Sequence, residues 1–263
     1  MINRFVLYAL CSCFIGVVAL PARAGFISIQ VGCEVQAGQL VVTVQNVGDE
    51  PGQNIFATVN FLDQTYEAEI ARSLPPNKPV SRSFPLEISG LQGVYSVITI
   101  VDFEDLNSYS FSAVSVQRVR VGEISRTKLA AILDPVEMRK KAKTRLTMRS
   151  DDETEITARL RIVTPREMIA QPSETTVTIP PMGTTEMKVV IDNLSGTPTS
   201  SYPIHAVLEY EEGGIHFCEI AMIMVPVLAA NPVAVGRFWI VIAVVIAVVA
   251  ILFAPKLKKM LRK

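Results

Sequence analysis

Apolar residues along most of this chain recur at every second position. Leu40, Val42 and Val44 share one face, and Asn46-Val47-Gly48-Asp49-Glu50-Pro51-Gly52 then gives a dense turn signal. Ile55, Ala57, Val59 and Phe61 alternate next, and Tyr66, Ala68 and Ile70 repeat the pattern before a turn at Pro75-Pro76-Asn77. Gly93 opens Val94 to Asp102, a strand apolar on both faces and therefore central, with both sides covered. Ser108 to Val121 closes the set.

The pattern repeats loosely in the second half. Leu129 to Asp134 precedes Pro135, and Arg145 to Arg149 reads as a strand. Ile156, Ala158, Leu160 and Ile162 alternate inward; Thr175 to Ile179 and Met187 to Ile191 flank the turn Pro180-Pro181-Met182-Gly183. Pro203 to Tyr210 and Ile215 to Val225 form a hairpin across Glu211-Glu212-Gly213-Gly214. Asp134-Pro135-Val136-Glu137 has the composition of a helix start, but no apolar stripe follows it, so it reads as extended chain. Short strands separated by Gly, Pro and Asn turns predict an all-β protein of two tandem immunoglobulin-like β-sandwiches, divided near Gly122.

Three stretches carry a resemblance. NVGDEPGQNIFATVNF, LPPNKPVSRSFPL and GVYSVITIVDFEDLNSYSFS resemble the bacterial adhesion-related Ig-like family called CARDB. The shared pattern is a strand into an Asn-x-Gly turn, a Leu-Pro-Pro loop before an edge strand, and Gly-x-Tyr opening a central strand; it covers roughly residues 38–121. The second half is similar to Ig-like repeats of bacterial surface proteins. The resemblance implies an extracytoplasmic interaction or adhesion module and transfers no catalytic residue.

Both chain ends are strongly apolar. Arg4, the run Phe5 to Leu20 and Ala22-Arg23-Ala24 make a secretory signal peptide with its cleavage pattern. Phe238 to Ala254 is uncharged and, at about 1.5 Å per residue, spans roughly 25 Å. Trp239 sits where an interfacial aromatic belongs, and KLKKMLRK follows at once, which by the positive-inside rule makes the C-terminus cytoplasmic. The expected organisation is a signal peptide (1–24), a CARDB-like sandwich (25–121), a second sandwich (122–231), a transmembrane helix (232–254) and a basic cytoplasmic tail (255–263).

Charge then narrows the function. The chain has 25 basic and 25 acidic residues, but eight of the basic ones lie in residues 1–24 and 232–263, which hold no acid. The middle is therefore net acidic, which disfavours nucleic acid as a partner. Against that background Arg139, Lys141, Lys143, Arg145 and Arg149 fall on one face of an extended segment, and Arg159 and Arg161 lie on the outward face of the next strand. These seven residues are the candidate partner-binding face. Their partner is either the intervening Asp151, Asp152, Glu153 and Glu155 or an external anionic polymer, lipid headgroup or protein.

Other chemistry is thin. Beyond the leader only Cys33 and Cys218 remain, either as a bridge between the halves or as two buried free thiols. His205 and His216 lie on the arms of the last hairpin, too few for a transition-metal site, and read as a surface cross-strand pair. A two-residue loop would pair Glu212 with Ile215, and a four-residue loop Tyr210 with Ile215. Asp102, Glu104, Asp105 and Asn107 have the oxygen density of a calcium loop without EF-hand spacing. No nucleophile elbow, P-loop or dinucleotide fingerprint occurs, so neither catalysis nor a cofactor is expected. The expectation is a non-enzymatic membrane protein, placed in the bacterial inner membrane by the family resemblance, whose periplasmic or extracellular domains serve as adhesion, scaffold or accessory subunit and bind an envelope protein. A polysaccharide-binding accessory role is the alternative, disfavoured because the single Trp lies in the anchor.

Overall fold

The computed structural model describes residues 26–36, 38–122 and 127–229. The signal peptide, the C-terminal helix and the basic tail lie outside these residues. Among the described residues every regular element is a β-strand, and no helix is long and apolar enough to cross a membrane.

The first half contains β1 (Ile29–Gln36), β2 (Gln39–Asn46), β3 (Gly52–Phe61), β4 (Gln64–Leu74), β5 (Pro79–Pro85), β6 (Gly93–Glu104) and β7 (Ser110–Val121). β1, β2 and β5 form one sheet; β4, β3, β6 and β7 lie side by side in another. The alternating residues meet between these sheets: Leu40, Val42 and Val44 face Ile55, Ala57, Val59 and Phe61 in one buried cluster. Asn46 fixes the turn that follows β2. It is fully buried, its Nδ2 donates to the carbonyls of Glu50 (2.7 Å) and Leu74 (3.1 Å), and its Oδ1 accepts from Gly48 N at 2.9 Å. The Asn-x-Gly sequence thus works by satisfying main-chain groups that a turn would otherwise leave unpaired.

The second half contains β8 (Leu129–Leu133), β9 (Lys141–Ser150), β10 (Ile156–Val163), β11 (Met168–Gln171), β12 (Glu174–Ile179), β13 (Thr184–Asn193), β14 (Ser201–Glu212) and β15 (Ile215–Pro226). The sheet β12-β10-β14-β15 packs on β11-β13-β9-β8 around Leu146, Met148, Leu160, Ile191, Ile204 and Leu208, all essentially inaccessible. The chain passes from one sheet to the other at Gln171-Pro172, whose peptide bond is cis. A tyrosine near the start of the sixth strand of the first sandwich, and another in the corresponding β14, are tied to the preceding chain. Tyr95 Oη donates to Gln92 O at 3.1 Å, and Thr197 N donates to Tyr202 Oη at 2.8 Å. Leu160→Ala is expected to cost about 2–5 kcal/mol through lost packing and a cavity, whereas Ile132→Ala, 65 % exposed, should stay within about 0.5 kcal/mol. Urea unfolding of both variants checks the contrast.

The last hairpin takes the two-residue loop. Gly213 and Gly214 both have positive φ (59° and 77°), and Glu212 lies opposite Ile215. This is the geometry that two adjacent glycines favour, because both central residues of such a turn leave the right-handed region. The four-residue alternative, with Glu209 opposite His216, does not form; Glu209 lies opposite Cys218.

The two sandwiches are joined. β15 meets β6 at one parallel position, His216 against Gly93, so their larger sheets run into each other. β6 is apolar on both faces for this reason: one face belongs to its own sandwich, and the other packs on the second.

Candidate functional site

The basic face forms only in part. Lys141, Lys143, Arg145 and Arg149 alternate outward along β9, as the period-2 pattern requires, and Arg139 is exposed just before the strand. Arg159 and Arg161 do not belong to this face. They lie on β10, in the opposite sheet, because consecutive strands here cross from one layer to the other. Arg159 pairs with Glu174 of neighbouring β12 at 2.7 Å, and Arg161 points into the joint, 3.2 Å from Glu209.

The acids that meet the β9 face come mostly from its sheet neighbour and from the chain before it. Lys141 Nζ lies 3.0 Å from Asp192, Arg145 reaches Glu186 (3.1 Å) and Asp134 (3.4 Å), and Arg149 reaches Asp151 (2.8 Å). Of the 151–155 run, only Asp151 pairs with this face; Asp152 pairs with Lys128 at 2.9 Å. Sequence reasoning missed Lys188, which lies opposite Arg145 in β13. Lys143 and Lys188 have no ion-pair partner among the described residues and line a shallow depression with Arg145, Asp134 and Glu186.

The joint between the sandwiches holds most of the buried chemistry. Its centre is apolar: Val94, Ile98 and Val114 of the first sandwich pack on Val163, Val207 and Cys218 of the second. Polar side chains cross it around this centre. Ser96 Oγ donates to Glu209 Oε1 at 2.6 Å, and Arg118 meets Glu219 at 2.9 Å. Glu167, 2 % exposed, takes the Ser112 N–H on one oxygen and the Ser112 hydroxyl on the other, each at 2.9 Å. Arg166 beside it pairs with Asp102 at 2.8 Å. His216 stacks on Tyr95 with ring centroids 4.5 Å apart, and its main-chain N–H donates to Gln92 O at 3.1 Å.

Burial opposes ionisation of Glu209, but His216, Ser96 and Arg161 around it outweigh that effect and hold its carboxyl down to about 2. His205 is not a surface residue. It is 7 % exposed, neither ring nitrogen has a hydrogen-bond partner among the described residues, and burial pushes its pKa down to about 4. It lies opposite Met222, and His216 opposite Glu211, so the two histidines share no site.

Glu167→Ala would strip Ser112 of both acceptors inside the protein. The expected cost is about 2–4 kcal/mol, larger than that of Ser112→Ala, and equal costs in urea unfolding would contradict it.

The remaining candidates are structural. Cys33 and Cys218 are both free: Cys33 Sγ sits 3.3 Å from Thr99 Oγ1, Cys218 lies in the joint, and burial pushes both thiols up. Asp105 Oδ1 accepts the N–H groups of Asn107 (2.8 Å) and Tyr109 (2.9 Å), which makes the 105–109 segment a hairpin tip held by its own main chain. Among the described residues no group of three or more His, Cys, Asp or Glu is placed to hold a metal ion.

No family model matches the chain. No curated protein matches it. Solved structures similar to it include the native conformation of Escherichia coli alpha-2-macroglobulin, at 8 % identity and a TM-score of 0.33, over 77 % of this chain and 17 % of that one. Red sea bream transglutaminase is similar at 10 % identity and a TM-score of 0.29, over 78 % of this chain and 31 % of that one. A protein of unknown function from Porphyromonas gingivalis W83 is similar at 13 % identity and a TM-score of 0.29, over 75 % of this chain and 99 % of that one. The chain thus spans less than a third of the length of the first two.

Proposed function

We propose that this chain is a non-enzymatic, membrane-anchored extracytoplasmic protein. In this reading two Ig-like sandwiches, the first of CARDB type, act as an adhesion, scaffold or accessory subunit of a bacterial envelope complex. The observation that carries the reading is the joint. Glu167, Glu209, Arg166 and His216, the groups with most chemical potential, are engaged in holding one sandwich against the other. What faces outward is sheet surface and strand edge, the material of protein–protein recognition. The strand orders β1-β2-β5 against β4-β3-β6-β7, and the two tethered tyrosines, support the Ig-like assignment. The cleavable leader, the uncharged run Phe238 to Ala254 and the basic tail support the anchor and a periplasmic or extracellular placement.

The basic face of β9 is the proposed contact for an anionic partner. Lys143→Glu with Lys188→Glu is the cleanest test, because neither lysine has an acidic partner among the described residues. Exposed strand charges contribute on the order of a few tenths of a kcal/mol each, so melting should scarcely move. Retention of co-purifying envelope proteins from mild detergent should fall, and wild-type retention should weaken as salt rises. Unchanged retention with a lowered melting temperature would defeat the docking role. Separately, protease added to spheroplasts should digest residues 25–231; their protection would overturn the topology.

A further inference from the structure

We infer that the open seam between β1 and β7 is a binding groove for an extended peptide segment of another protein, which would enter as an added strand. Among the described residues β1 pairs as a strand only with β2, and β7 only with β6, so each keeps one edge without a strand partner there. Two side chains show which main-chain groups point to those edges. The Gln117 side-chain amide, in the orientation that satisfies both its atoms, bonds the N–H and C=O of Cys33. Glu167 takes the N–H of Ser112. Main-chain direction alternates along a strand. Ile29 and Val31 on β1, and Val114 on β7, therefore turn their N–H and C=O groups into the same seam.

Gln117 closes the seam at one end. Toward Ile29 it widens into a cleft of about 660 Å³, floored by Ile29, Val31, Phe111 and Ala113 and walled by the second sandwich at Tyr202 and Met224. These floor residues belong to the first sandwich's core but are only partly covered. From Ile27 to Val31 the edge runs about 13 Å at ~3.3 Å per residue, which suits an extended stretch of about five residues.

Charge selects the occupant. Among the described residues the lining includes the carboxylates of Glu50 and Asp105 and no lysine or arginine, while Glu167, which also lines it, has both oxygens held by Ser112. The fitting segment is apolar at alternate positions and carries lysine or arginine between them. This inference rests on the reading of the chain as an interaction protein and names a class of partner. Its test uses neither the β9 face nor membrane topology, so the two fail separately.

The full chain in mild detergent is titrated with the acetylated, amidated peptide Lys-Val-Thr-Val-Lys-Val-Thr-Val-Lys. Expected are micromolar binding and slowed amide exchange at Ile29, Val31 and Val114. N-methylation of alternate peptide amides should weaken binding at least tenfold, and so should glutamate in place of lysine. No binding, equal binding of the N-methylated peptide, or protection confined to other strands would overturn the assignment. Slow exchange at the three amides without peptide would also overturn it. In a monomeric sample that result would put a segment of the chain itself in the groove, and in a dimeric one a second copy.

Discussion

Gly93→Ala should separate the two sandwiches. A β-carbon at Gly93 would lie 2.3 Å from the carbonyl oxygen of His216 and 2.8 Å from its nitrogen, both main-chain atoms with no freedom to swing away. The φ of +148° adds strain for any residue with a side chain. The position is also where the larger sheets meet, so relief must come from moving one sandwich off the other. The expected loss is about 3 kcal/mol or more. Two resolved melting transitions should replace one, and exchange should quicken first at Val207 and Cys218, which the joint now buries. A single transition within a degree or two of the parent would contradict this account.

Acid should loosen the protein in two steps. The folded chain holds His205 down to about 4, against an ordinary value of 6.5, so on unfolding the ring takes up a proton between those limits. Stability therefore falls as pH drops from 6.5 toward 4, by up to about 3 kcal/mol. Glu209 works in the window below. Its folded value of about 2 lies under the usual 4.5, so its contribution is complete above 4.5 and is lost as pH falls toward 2. His205→Leu should remove the upper loss and leave the lower; Glu209→Gln should reduce the lower and leave the upper. Melting temperatures of the three proteins across pH 3–7 check both, and an unchanged upper loss in His205→Leu would assign it to another group.

The sequence pattern located the strands that bury a full face. Leu40, Val42 and Val44, then Ile55 to Phe61, then Ile156 to Ile162 point inward at the expected alternate positions. Edge strands were harder to read. β5 has only Val80 and Phe84 to mark it, and β11 is four residues long, because an edge buries little and needs few apolar side chains. The basic alternation of β9 was legible for the same reason as the core, but its counter-charges were not: Asp192 and Glu186 lie about 40 to 50 positions away and arrive through sheet pairing. Placing Arg159 and Arg161 beside them assumed that neighbours in sequence are neighbours in a sheet, which strand crossing between layers defeats. The joint left one trace, the strand from Val94 to Asp102 apolar on both faces. Its polar contacts, such as Ser96 with Glu209, join residues 113 positions apart through single side chains that carry no local pattern.

That doubly apolar strand also sets how the gene can be cut. β6 lends one side to each of two cores, so a fragment ending near Gly122 would present Val94, Ile98 and Val114 to water, and a fragment beginning there would present Val163, Val207 and Cys218. Such surfaces self-associate. Each half expressed alone should aggregate or scavenge chaperones, while the uncut pair stays dispersed, and mixing the halves during refolding should rescue both. The two sandwiches resemble separable beads in sequence, but in manufacture they are one part.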